Sequence, residues 1–168
     1  MSQISSQLLQ SKKNMKLVIQ RVIQAKVVVQ EEVISSINRG LCVLVGICQD
    51  DNNADVDYLC RKLLQLRVFD DESGKRWQKN VMDQNLEVLC VSQFTLYHRL
   101  KGNKPDFHNA MQGADAQNLY NSFLEKLGKS YLTEKIKDGK FGAMMEVHII
   151  NDGPVTLEIE SPKQNKAQ

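Results

Sequence analysis

The spacing of apolar residues changes several times along the chain, and each change marks an element. "LVIQRVIQAKVVVQ" (17–30) is β-branched and apolar, which predicts a strand, a break near Gln24–Ala25 and a second strand. "EEVISSINRG" adds a short strand ending in an Arg-Gly turn. "LCVLVGIC" (41–48) is nearly all apolar, as expected for a strand buried on both faces. After a loop at Asp50–Asn53, Val56, Leu59, Cys60, Leu63 and Leu64 recur at helical spacing. They place a first helix at about 54–67, with Asn53 or Asp55 as its cap.

"DDESGK" reads as a turn and "LEVLCVSQ" (86–93) as a strand, while 97–113, with Gly102, Pro105 and Gly113, reads as mostly irregular. A second helix starts near Asp115, carries Leu119, Tyr120, Phe123, Leu124 and Leu127 on one face, and stops at Gly128. "MMEVHII" and "VTLEIE" are strands, the second alternating Val155, Leu157 and Ile159 with polar residues and so keeping one wet face. Strands with short joins and two helices predict an α+β fold with a largely antiparallel, barrel-like sheet. Between the last two strands stands "NDGPVT" (151–156). Asn, Asp, Gly and Pro favour a hairpin turn, but a proline against a strand also raises the alternative of a cis X-Pro bond.

Composition narrows the class. A chain of 168 residues with 42% apolar and 25% charged residues is a single globular domain, expected at 15–160 between a disordered leader (1–14) and a tail (161–168). The longest apolar run, Leu41–Cys48, is strand-sized, and the first 14 residues lack a signal-peptide core, so a cytoplasmic protein without membrane contact is expected. Cys42, Cys48, Cys60 and Cys90 lie in apolar runs without ligand spacing and read as buried free thiols. The net charge of +2 is small but segregated, with basic groups in 1–40, at 99–104 and at 135–140, and acidic groups at 50–57 and 70–72. Such segregation permits a phosphate-facing side, although a solvated surface is the better explanation of the charge pattern by itself.

Standard catalytic signatures are missing: the chain has no GxSxG, P-loop, GxGxxG or HExxH. His98, His108 and His148 are scattered and suggest no nucleophile–base pair. One stretch stands out, "VLCVSQFTLY" (88–97), where an apolar strand runs straight into Ser92-Gln93-Phe94-Thr95. Its hydroxyls either satisfy a strand end or line a site there.

"VSQFTL" and "NDGPVT" together resemble the D-aminoacyl-tRNA deacylases, as do "MKLVIQRV", "GKRWQKNV", "KGNKPDF" and "DGKFGAMMEV" in the same order. The resemblance runs from Met15 to Glu160. It implies a homodimer that hydrolyses the ester between a D-amino acid and the terminal adenosine of tRNA, without a metal or cofactor. It implies a cis Gly153–Pro154 peptide reaching into the partner's pocket and rejecting L-amino acids. Ser92, Gln93, Phe94 and Thr95 would line that pocket, and Phe141, Ala143 and Met145 would lie near the adenosine. Thr95 is a candidate nucleophile; the favoured mechanism instead uses backbone N–H groups at Phe94–Thr95 and the adenosine 2′-hydroxyl. Lys16, Arg21, Arg99, Lys101 and Lys104 are candidates for acceptor-end phosphates. The rival readings are an L-alanyl-tRNA deacylase with a trans Gly-Pro, a non-catalytic nucleic-acid-binding module, and a cysteine hydrolase using Cys90.

Overall fold

The computed structural model describes residues 14–163. All of the expected leader except Asn14, and the tail after Lys163, lie outside these residues.

Strand β1 (Lys16–Val29) organises the sheet through three antiparallel partners. Along one edge its first half pairs with β3 (Gly40–Gly46) and its second half with β2 (Glu32–Ile37). Its other edge carries a single long strand, β8 (Glu146–Glu160), along both halves. β4 (Glu87–Ser92) joins β3 in parallel, and β7 (Ile136–Asp138) joins β4 in parallel. The sheet is therefore mixed, and it curls until β7 approaches β2, where the Ser35 hydroxyl donates to the Asp138 carbonyl at 2.5 Å. A Cβ on Gly40 would lie 1.9 Å from the Glu87 carbonyl oxygen, so the close β3–β4 approach requires glycine there.

Alternation along β3 fills two cores. Leu41, Val43 and Val45 face α1 (Asn53–Gln65) and α2 (Gly113–Ser130), packing with Leu59, Leu63, Phe123 and Leu127. Cys42 turns into the curl with Val22, Val27, Ile37, Leu89 and Val91. Each such aliphatic side chain contributes about 1.5–3 kcal/mol of burial, which accounts for the near absence of polar residues in β3. The four cysteines are free and buried.

The elements depart from the sequence expectations at several points. β1 is not broken at Gln24–Ala25; it continues, absorbing the irregularity as a register shift between Val22 and Gln24. The α1 cap is Asn52, whose side chain accepts from Ala54 N–H at 2.9 Å, while Asp55 returns a bond to Asn52 N–H at 2.9 Å. Asp55 is 2% exposed because it also accepts from the Ser161 hydroxyl at 2.7 Å. Residues 97–113 hold a small hairpin, β5 (Arg99–Lys101) with β6 (Lys104–Asp106). β7, only three residues long, is too short for periodicity to reveal. "NDGPVT" is not a hairpin turn: both flanking runs belong to β8 and pair in one direction with β1. Among the described residues no helix is long and apolar enough to cross a membrane.

Candidate active site

β4 makes its last ladder bond from Gln93 N–H to the Val45 carbonyl, at 2.8 Å. The chain then closes into a single 3-10 turn, Phe94–Tyr97, with Tyr97 buried beneath it and Phe94 53% exposed. The amides of Phe94 and Thr95 open this turn and so have no carbonyl within it to bond. The Gln93 side-chain amide donates to the Thr95 hydroxyl, and His98 Nδ1 lies 3.0 Å from the Thr95 carbonyl.

Opposite this turn stands the segment between β7 and β8. Gly139 N–H bonds the Cys90 carbonyl at 3.2 Å, Ala143 N–H bonds the Lys140 carbonyl at 3.1 Å, and the Phe141 ring leans on Tyr120 with centroids 5.6 Å apart. Between the two lies a cavity of about 510 Å³. Ser92, Gln93, Phe94 and Thr95 line one side, Phe141, Ala143 and Met145 the other, and Val45, Val91, Met111 and Ala116 contribute as well. The cavity thus brings together two groups of residues that lie about fifty positions apart in sequence. Among the described residues no titratable side chain lines it. The contributions of Met111, Gln112 and Ala116 escape sequence reasoning because nothing distinguishes the start of α2 from any other amphipathic helix.

Gly153 and Pro154 do not line this cavity. Their peptide bond is cis, and it sits in a bulge where four residues of β8, Asp152–Val155, stand opposite Arg21 alone on β1. Both residues are exposed, beside a cleft of about 330 Å³ shared with Arg21, Asp70, Arg76, Trp77 and Val155. Arg21 clamps the bulge: its Nη1 donates to the Val68 carbonyl at 2.5 Å and its Nε to the Asp152 carbonyl at 3.2 Å. The Asp152 carboxylate also pairs with Arg21 at 3.4 Å and Arg39 at 3.2 Å. Gly153 has φ +126°, and a Cβ there would lie 2.9 Å from Val155 Cγ2.

The five basic candidates fall into two sets. Lys16 pairs with Glu158 at 3.5 Å and Glu160 at 3.3 Å, and its ammonium stands 5.2 Å from the Tyr97 ring centroid. Like Arg21, it spends its charge within the fold. Arg99, Lys101 and Lys104 are exposed on the β5–β6 hairpin. Asp106 there pairs with Lys101 at 2.9 Å and with His108, and these two partners hold its carboxyl far below the usual range. Phe107 follows and meets Phe94 edge-on at 5.1 Å, which couples the hairpin to the mouth of the cavity. Cys90 does not line the cavity, and full burial raises its thiol well above the ordinary 9.0, which removes it as a thiolate nucleophile.

Comparison with known proteins agrees with this architecture. The family model described as "D-Tyr-tRNA(Tyr) deacylase" matches residues 18–160. A Drosophila melanogaster protein named D-aminoacyl-tRNA deacylase is 67% identical over 150 residues, covering 89% of this chain and 94% of its own. The solved structure called "c-Myc DNA Unwinding Element Binding Protein" superposes with a TM-score of 0.85 at 61% identity, covering 88% of this chain and 99% of that one. A second structure, of a "probable eukaryotic D-amino acid tRNA deacylase", has a TM-score of 0.73 at 16% identity, covers 87% of this chain and all of that one, and so shares the fold. With a family model spanning nearly the whole domain and a relative this similar over most of both chains, the chain belongs to the D-Tyr-tRNA(Tyr) deacylase family.

Proposed function

We propose that this deacylase hydrolyses D-aminoacyl-tRNA with backbone donors and the substrate's own hydroxyl, and takes its chiral filter from Gly153–Pro154 of a second copy. The observation that carries the chemistry is a cavity between the Phe94 turn and the Phe141 wall that no titratable side chain among the described residues lines. Among the described residues no histidine, carboxylate or lysine lines it as a general base, and Thr95 already accepts a bond from the Gln93 amide. The Phe94 and Thr95 amides are the donors for the oxyanion that forms when water attacks the ester carbonyl. The adenosine 2′-hydroxyl, adjacent to the ester, takes part in proton transfer as the C–O bond breaks and the tRNA 3′-oxygen leaves. Each oxyanion donor is worth about 3–4 kcal/mol, and positioning can supply more.

The filter reading rests on the bulge. Gly153 and Pro154 are exposed, stand outside their own chain's cavity and are pinned by Arg21 and Arg39 through Asp152. A held, protruding backbone segment suits insertion into another subunit's pocket, where a fixed wall excludes the side chain of one enantiomer. In this reading the protein is a homodimer and a chirality proofreader of translation, acting in the cytoplasm. Arg99, Lys101 and Lys104 meet acceptor-end phosphates, which position a tRNA without reading its sequence.

The test is hydrolysis of D-tyrosyl-tRNA and L-tyrosyl-tRNA side by side by the purified protein. Loss of the D ester alone supports the reading. Loss of both removes the filter, and loss of neither leaves a nucleic-acid-binding protein without this chemistry.

A further inference from the structure

We propose that Tyr120 and Asp138 form a positioning pair for the hydrolytic reaction, holding the Phe141 wall of the cavity against the strand that ends at Ser92. The inference rests on the deacylase reading and adds residues that do not line the cavity. Tyr120 is fully buried on α2, and its ring packs on Phe141. Its hydroxyl lies 3.1 Å from the Cys90 carbonyl, two residues before Ser92, and also bonds Asp138 Oδ1. Asp138 is the last residue of β7, so the wall begins at the next position. Its own carbonyl is held from β2 by the Ser35 hydroxyl.

The wall has few other ties. Ala143 N–H to the Lys140 carbonyl and Lys140 N–H to Met145 Sδ at 3.4 Å both lie within the segment or at its junction with β8. The bonds that fix it to the rest of the protein converge on Cys90 O and Asp138. A half-buried carboxylate is a costly way to fill space, since an apolar pair would pack there without desolvating a charge. What the polar pair adds is a fixed distance between two walls, which apolar contact alone lets slide. A shift of about 1 Å in such a wall can lower turnover about a hundredfold.

The experiment uses Tyr120→Phe, Asp138→Ala, Asp138→Asn and the double variant Tyr120→Phe/Asp138→Ala, with the wild-type protein alongside. Initial rates are measured on D-tyrosyl-tRNA, and amide hydrogen exchange across 139–145 is read on the same proteins without substrate. Tyr120→Phe keeps the ring on Phe141 and is expected to lower kcat about tenfold or more while KM stays within about twofold. Asp138→Ala should match it, the double variant should be no worse than either single, and Asp138→Asn, which keeps an acceptor, should stay within about threefold of wild type. Exchange across 139–145 should quicken in Tyr120→Phe and Asp138→Ala, with α1 unchanged. Unaltered exchange there, or a lower Tm with unaltered kcat, overturns the proposal and leaves the pair a packing feature. A wild-type protein inactive on D-tyrosyl-tRNA sinks the deacylase reading instead, and the exchange measurement still decides whether the pair holds the wall.

Discussion

The cavity beside Phe94–Thr95 and the bulge at Gly153–Pro154 both occur where β-strand order is interrupted, but different forces hold them. The cavity sits at the end of β4, on buried Val91 and Tyr97, and no charged group among the described residues lines it. The bulge interrupts β8 on the surface and is fixed by polar bonds from two arginines to Asp152. Apolar packing and the Tyr120–Asp138 pair shape the first from within the core, so its geometry is tied to global stability. Directed polar contacts shape the second, so its geometry can be lost while the core stays folded. In the proposed enzyme, chemistry belongs to the region anchored in the core and selection to the surface region held by arginines.

The largest effect that separates the two regions is expected from Gly153→Ala. The added Cβ meets Val155 at 2.9 Å in a backbone with φ +126° that L side chains rarely adopt. Turnover of D-tyrosyl-tRNA should fall about a hundredfold or more. The strained backbone should cost about 1–3 kcal/mol, so thermal melting falls by several degrees at most while the core stays folded. Arg21→Ala comes next: it removes bonds to Val68 and Asp152 and should cost about 2 kcal/mol of stability, read by chemical denaturation. It should also lower D-ester turnover about tenfold through the released bulge. Equal activity in wild type and Arg21→Ala would uncouple the arginine clamp from selection.

Thr95→Val sharpens the other side of the comparison. If the backbone supplies the donors, kcat falls less than about tenfold, whereas loss of a nucleophile costs about 10⁴-fold or more. Single-turnover rates distinguish the two. Lys101→Ala/Lys104→Ala should weaken tRNA binding at low salt. The log–log salt dependence should flatten by about 0.7 for each phosphate that is no longer neutralised, measured by filter binding.

The smallest expected effect concerns the thiols. Burial raises Cys42 to about 11 and Cys60 to about 12, so alkylation at pH 8 should leave activity unchanged. Because these acids hold their protons more tightly when folded, their contribution to stability is complete below the ordinary 9.0. It declines as pH rises from there toward 11–12, which denaturant midpoints measured across that range will show.

Much of the core is legible in the sequence because periodicity reports burial directly. Leu41–Gly46 and the Leu59–Leu63–Leu64 stripe lie where their pattern places them. Long-range closure is not legible. β7 is three residues long, and Asp138 stands among lysines that mark it as surface, although burial raises its carboxyl and Tyr120 bonds it. The bulge reads as a turn for a related reason: the same four residues serve a hairpin or an extruded loop, and only the register against β1 distinguishes them. Periodicity also does not divide the basic residues. Lys16 and Lys104 look alike in sequence, yet one is held by Glu158 and Glu160 and the other is exposed on a hairpin.

The claim that one copy's bulge completes another copy's cavity is tested most directly by complementation. Gly153→Ala impairs the bulge, and Ala143→Phe obstructs the cavity. Each variant alone should be nearly inactive on D-tyrosyl-tRNA. A purified heterodimer of the two unites one intact cavity with one intact bulge, so it should recover about half the wild-type rate per dimer. A heterodimer no more active than its parents, or a fully active wild-type monomer, would contradict the account.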